Sequence, residues 1–150
     1  MKKTLFALLA AASFLSAAYL RDDASEIVTD DTAGVMWQDS ADVATARVTW
    51  PEAVERCRTL RLGGFDDWRL PERDELDSLA DEQRFKHGID PVFRYEGDAG
   101  YWSSTVDPVH PDSAWRALYT CGGGYWYGKK GRAHVRCIRT LETKRAPAAR

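Results

Sequence analysis

A chain of 150 residues that is 44% hydrophobic and 29% charged has the size and composition of one globular domain with a real core. Its formal net charge of −2 argues against a nucleic-acid-binding protein, which would carry a basic surplus. Six Trp and six Tyr are many for this length, and such rings fill cores or floor binding surfaces.

The first 18 residues read as a signal peptide. Lys2 and Lys3 precede an apolar run from Leu5 to Leu15, and Ser16-Ala17-Ala18 offers the small residues a signal peptidase reads. The run is too short for an ordinary membrane span. Cleavage before Tyr19 takes two of the 21 basic residues and leaves 19 against 23 acidic ones, a net charge of −4. The expected location is therefore the periplasm or the cell exterior.

Residues 19–26 read as a polar N-terminal segment. Ile27-Val28 and Val35-Met36-Trp37 flank an Asp30 to Gly34 turn and predict a hairpin. Thr49 and Glu52 then form the signature of a capping box, with Pro51 in the first turn. Trp50, Ala53, Val54, Cys57 and Leu60 recur at helical spacing, while Glu52 and Arg56 are placed for an i,i+4 pair on the polar face.

Gly63-Gly64 lets this helix stop by supplying a positive φ. Asp-Trp-Arg-Leu-Pro from Asp67 to Pro71 then predicts a short link pinned by the ring of Trp68. A second helix is expected from about Arg73 to Ala80, burying Leu76 and Leu79. Glu72, Asp74 and Glu75 suit its positive end. Asp66 and Asp67 are expected to cap or solvate the turn.

Beyond this the pattern weakens, although Ile89, Val92 and Phe93 predict a loop tucked against the core. Strands are expected at Tyr101 to Thr105, Ala114 to Tyr119, and about His134 to Thr140. Alternation puts Trp115, Ala117 and Tyr119 on one face of the second strand, and Arg116 and Leu118 on the other. Residues 142–150 read as a flexible tail.

Four motifs in order carry a resemblance: Val35-Met36-Trp37-Gln38, Asp67 to Pro71 with Glu75-Leu76, Tyr101-Trp102-Ser103-Ser104-Thr105, and Val135-Arg136-Cys137-Ile138-Arg139. Over roughly Ile27 to Leu141 the chain resembles the C-terminal domain family of Legionella collagen-like (Lcl) adhesins, which is related to the C-type-lectin-like fold. The resemblance implies an α+β domain over residues 27–141. Two helices would pack on small antiparallel sheets with the N- and C-terminal strands adjacent.

Cys57, Cys121 and Cys137 allow three single-bridge pairings, and an oxidising compartment favours one of them. Cys57 on the apolar face of a helix and Cys137 in a strand suit a buried bridge, and the resemblance implies the same pair. Cys121 is then left over.

Between Ser113 and Leu141 there is no acidic residue, yet Arg116, Lys129, Lys130, Arg132, Arg136 and Arg139 all occur. The segment from Cys121 to Arg132 reads as a flexible loop or hairpin end. Sugar rings stack on aromatic faces, and sulfates or carboxylates pair with Arg and Lys. The candidate ligand-binding residues are thus Trp115, Arg116, Tyr125, Trp126, Tyr127, Lys129, Lys130 and Arg132, and the expected ligand is an anionic or sulfated polysaccharide such as a glycosaminoglycan. Alternatively, Tyr125 and Trp126 are core residues of a strand and the lysines solubilise its edge. If the segment is extended, Trp126 points opposite to Tyr125 and Tyr127.

Other classes have less support. A protein-interaction module of the cell envelope is the second reading. An enzyme related to the formylglycine-generating enzymes, which share a lectin-like fold, would need a second free cysteine beside Cys121. His87, His110 and His134 lack metal-ligand spacing, and no nucleophile motif occurs. The chain contains no asparagine, which the calcium-dependent sugar motifs of C-type lectins require. No cofactor or metal is therefore expected, and catalysis is not.

Overall fold

The hairpin at Ile27 to Gln38 forms where apolar runs flank the turn, with the Gly34 N–H donating to the Asp30 carbonyl at 2.9 Å. In the computed structural model, residues 19–81, 88–121 and 123–142 are described. The predicted signal peptide, His87, Gly122 and residues 143–150 lie outside the described residues. In chain order the elements are β1 (Tyr19–Asp22), β2 (Ile27–Asp30), β3 (Val35–Gln38), α1 (Asp42–Thr45), α2 (Trp50–Thr59) and α3 (Arg73–Asp77). Then follow β4 (Ala80–Asp81), β5 (Gly88–Ile89), β6 (Tyr101–Val106), β7 (Ser113–Leu118), β8 (Gly123–Gly128) and β9 (Ile138–Thr140).

The architecture is α+β, with helices packed on small antiparallel sheets. One sheet has the order β1-β2-β3-β9, so the N-terminal hairpin and the last strand pair directly, with Trp37 opposite Ile138. A second has the order β6-β7-β8, and β4 pairs with β5. This is the C-type-lectin-like arrangement that the four motifs imply.

Several details differ from the expectation. Tyr19–Asp22, read as a polar segment, adds an edge strand, because alternate residues of a hydrophilic stretch can face solvent while the backbone pairs with β2. The last strand covers only Ile138–Thr140. His134 instead makes a single parallel bridge to Tyr101, and Ala133 pairs with Val48. A four-residue helix, α1, precedes the two expected ones, and α3 ends at Asp77, before Ala80 enters β4.

The capping box of α2 is present, and it removes the expected Glu52–Arg56 pair. The Glu52 carboxylate accepts the Thr49 N–H at 2.7 Å and its hydroxyl at 2.9 Å, while Arg56 faces Asp42 at 3.7 Å. Downstream, Gly63 and Gly64 have φ of 61° and 82°, the left-handed turn that returns the chain to the core. Trp68 follows, 3% exposed and packed in one cluster with Ala53, Cys57, Leu70, Trp102 and Cys137. Arg69 exchanges two backbone hydrogen bonds of 2.9 Å with Ile138, so the link also docks on the last strand.

Cys57 and Cys137 form the disulfide, tying α2 to the residue before β9 across a separation of 80 residues. In the chain-entropy account such a loop is worth at most about 4.5 kcal/mol. A bridge of this kind fits an oxidising compartment. With both other cysteines used, Cys121 has no remaining intrachain cysteine to pair with.

The carboxylates near the link bind arginines rather than merely solvating a turn. Asp67 takes both Arg139 Nε and Nη2, at 2.7 and 3.0 Å, and these bonds hold its carboxyl below the usual aspartate value. Burial pulls Glu75 upward, but paired bonds from Arg69 and the Glu72 N–H outweigh it and leave the carboxyl lowered. A lowered folded pKa adds stability above the unfolded value, and that stability is lost as pH falls through the folded one. The melting temperature should therefore decline between about pH 5 and about pH 2. An unchanged melting temperature across that window would show that these pairs contribute nothing.

Candidate functional site

Register in the second sheet decides which candidate residues can act together. Trp102, Arg116 and Tyr125 lie opposite one another across β6, β7 and β8, as do Ala114 and Tyr127 across β7 and β8, so these side chains share one face. Trp115 opposite Trp126, with Ala117 opposite Gly124, occupies the other face. Within the segment from Cys121 to Arg132, read as a loop or hairpin end, Gly123–Gly128 form a strand, and Trp126 does point away from Tyr125 and Tyr127.

On the first face Arg116 is buried beneath two rings. Its guanidinium carbon lies 3.9 Å from the centroid of Tyr127 and 4.6 Å from that of Tyr125, and the two rings meet edge to face. Burial lowers the Arg116 pKa from its ordinary value, and the neighbouring Tyr127 opposes this. The Nε of Arg116 is buried without a hydrogen-bond partner. Tyr127 also packs on Trp102 at 5.5 Å, while Tyr125 remains 40% exposed.

The basic turn follows directly from Tyr127. Lys129 places its ammonium 4.2 Å from the centre of the Trp50 ring, which is itself fixed by a 2.9 Å bond from its Nε1 to the Ser103 carbonyl. A Cβ at Gly131 would fall 2.3 Å from the Tyr127 ring, so glycine is required for the turn to close over that ring. Lys130 and Arg132 are exposed, and Arg132 Nη1 donates to the Arg47 carbonyl at 3.2 Å. Arg116, Tyr125, Tyr127, Lys129, Lys130 and Arg132 consequently lie along one face and its adjoining turn.

Trp115 and Trp126 belong elsewhere. Their rings meet edge to face at 5.4 Å, and Arg73 of α3 stacks 3.7 Å from the centroid of Trp115. Arg73, Trp115, Tyr119, Gly123 and Gly124 line a cleft of about 380 Å³ on that side. A ligand on the Arg116 face could not touch both indoles.

The acid-free span is less basic at the surface than its sequence suggests. Arg136 is fully buried against Asp39, and Arg139 is paired with Asp67. Nine described arginines lie within salt-bridge distance of a carboxylate. Among the described residues, Arg61, Arg116, Lys129, Lys130 and Arg132 have no such partner, and of these Arg61 lies away from the Arg116 face, its guanidinium donating to the Thr59 and Leu60 carbonyls. Trp50 and Arg47 join the site only through the fold, since each lies some 80 residues before the cation it meets. Nothing local in the sequence could have signalled them.

No group of three or more His, Cys, Asp or Glu comes together for a metal among the described residues. His110 faces Asp107 at 3.1 Å, and His134 lies between the Ala46 carbonyl at 2.9 Å and Asp98 at 3.3 Å. No described helix is long and apolar enough to cross a membrane. Compared with known families, residues 26–139 match the model of the Lcl C-terminal domain. No curated protein matches the chain.

Proposed function

The chain belongs to the Lcl C-terminal domain family, and on that premise we propose that it is an exported binding domain for an anionic polysaccharide carrying sulfate or carboxylate groups. The observation that carries this reading is the set of four cations without carboxylate partners, in a protein that pairs most of its other described arginines. Arg116, Lys129, Lys130 and Arg132 line one face and its turn, next to the rings of Tyr125 and Tyr127. Charge gives attraction and rings give a stacking floor, a combination suited to a charged sugar chain. The domain acts by binding, with no catalytic step assigned to it.

Exposed single ion pairs are worth only about 0 to 1 kcal/mol each, so the loss must be cumulative to be read clearly. A Lys129→Ala, Lys130→Ala, Arg132→Ala triple variant should bind heparin, the probe polyanion, about tenfold more weakly, which corresponds to about 1.4 kcal/mol. Wild-type binding should itself weaken as salt rises. A folded triple variant with wild-type heparin affinity at low salt would remove the turn from the binding site. Binding of one envelope protein that ignores salt would instead support an interaction module.

A further inference from the structure

The sheet β6-β7-β8 ends in an open strand. Lys129 N donates to the Asp112 carbonyl at 2.8 Å, so Lys129 and Asp112 are a hydrogen-bonded pair at the end of the β7–β8 register. Antiparallel pairing alternates, so the backbone groups of Tyr127, Tyr125 and Gly123 also point at β7. Those of Gly124, Trp126 and Gly128 point outward. Of these, only the Gly128 carbonyl has a described backbone partner, the Gly131 N–H at 2.8 Å. The strand is largely exposed, with Trp126 at 38%, and it carries no charge from Gly123 to Gly128.

An uncharged, exposed edge is a template for another strand, and proteins commonly blunt such edges with lysine, proline or a bulge. Here β8 has none of these within its length, and its sequence suits one occupant. Gly124-Tyr125-Trp126-Tyr127-Gly128 reads the same in both directions. We propose that β8 is the docking edge for a second copy of this chain, the two β8 strands pairing antiparallel about a two-fold axis at Trp126.

Such a contact is isologous, each residue meeting its symmetry counterpart. Trp126 lies opposite Trp126 of the second copy and exchanges both backbone bonds with it. Gly124 lies opposite Gly128, and Tyr125 opposite Tyr127. The outward-pointing groups of one copy therefore face those of the other at each step. Lys129 falls opposite Gly123 of the second copy, so the basic turns sit at opposite ends of the junction and avoid each other. The product is a continuous six-stranded sheet. Because the axis is perpendicular to the sheet, both Arg116 faces look the same way. This inference does not rest on the polysaccharide reading, since its experiment contains no glycan.

Sedimentation equilibrium of the purified protein over a range of concentrations should show the mass rising towards twice the monomer. Trp126→Lys should hold the mass at one monomer, because a charge on the axis is brought against its own copy and the edge is blunted. Residue-resolved amide exchange provides a second readout on the unaltered protein, should that variant misfold. Exchange at Gly124, Trp126 and Gly128 should slow as concentration rises, whereas Tyr125 and Tyr127, bonded to β7, should stay protected throughout. A mass fixed at one monomer, a trimer, or concentration-independent exchange at Trp126 would each overturn the proposal. So would a monomer whose Trp126 amide becomes protected only by an added foreign peptide strand.

Discussion

Asp39→Ala should lower stability by about 3 to 5 kcal/mol, the range seen when one member of a buried ion pair is removed. Asp39 is fully buried, and its carboxylate gathers donors from four places. It accepts the N–H groups of Arg94 at 2.8 Å and Tyr95 at 3.2 Å, and Arg136 Nη1 at 2.9 Å. The Arg21 guanidinium closes on it as well. Arg136 is equally buried and donates further to the Gln38 and Tyr95 carbonyls. Burial lowers its pKa, yet an arginine remains charged, so losing Asp39 strands a cation in the core. Asp39→Asn should be almost as harmful despite its near-identical shape, because the loss is of charge. Urea unfolding midpoints would read both, and an Asp39→Asn protein as stable as the wild type would show that charge pairing is not what the site supplies.

Trp68→Ala should cost a similar amount, about 3 to 5 kcal/mol, the usual range for truncating a buried large ring. Trp68 is packed beside the disulfide, between α2 and the link that docks on Ile138. It also walls a cleft of about 410 Å³ with Trp50, Val54, Leu70 and Ser104, so the vacated space would join an existing opening. The indole N–H has no hydrogen-bond partner. Trp68→Phe should therefore lose only volume and cost clearly less than Trp68→Ala. Equal melting temperatures for Trp68→Ala and wild type would mean that the ring does not pin the link.

What was legible in the sequence was local. Thr49 and Glu52 declare a helix start because the capping box closes within three residues, and period-2 alternation places Trp126 opposite in sense to Tyr125. The link around Trp68 announces itself through its glycines and its single large ring. The rest depends on partners far apart in the chain. Asp39 and Arg136 are 97 positions apart, and Asp67 and Arg139 are 72 apart, so neither charge pair leaves a spacing signal. Glu52 shows the same limit at short range: two partners were available to it, and the backbone of Thr49 took precedence over Arg56. For the candidate site, composition marked a segment but could not by itself divide it. Alternation separates Trp126 from the two tyrosines and Trp115 from Arg116, but only the register of β7 on β8 puts Arg116 with the tyrosines and the two tryptophans together behind them.

The order of strands in the first sheet also bears on how this molecule comes into being. The sheet ends in β9, the disulfide needs Cys137, and the buried charge of Asp39 waits for Arg136. All three closures draw on the span from Arg136 to Thr140, near the end of the chain. A polypeptide delivered amino end first would hold β3 without its β9 neighbour, and its core aspartate with Arg21 but without Arg136, until that late span arrives. Contacts so distant along the chain make folding slow, since their loops must close before they stabilise anything. Full resistance to unfolding should therefore arrive only with the span from Arg136 to Thr140, which completes the sheet, the bridge and the buried charge pair together.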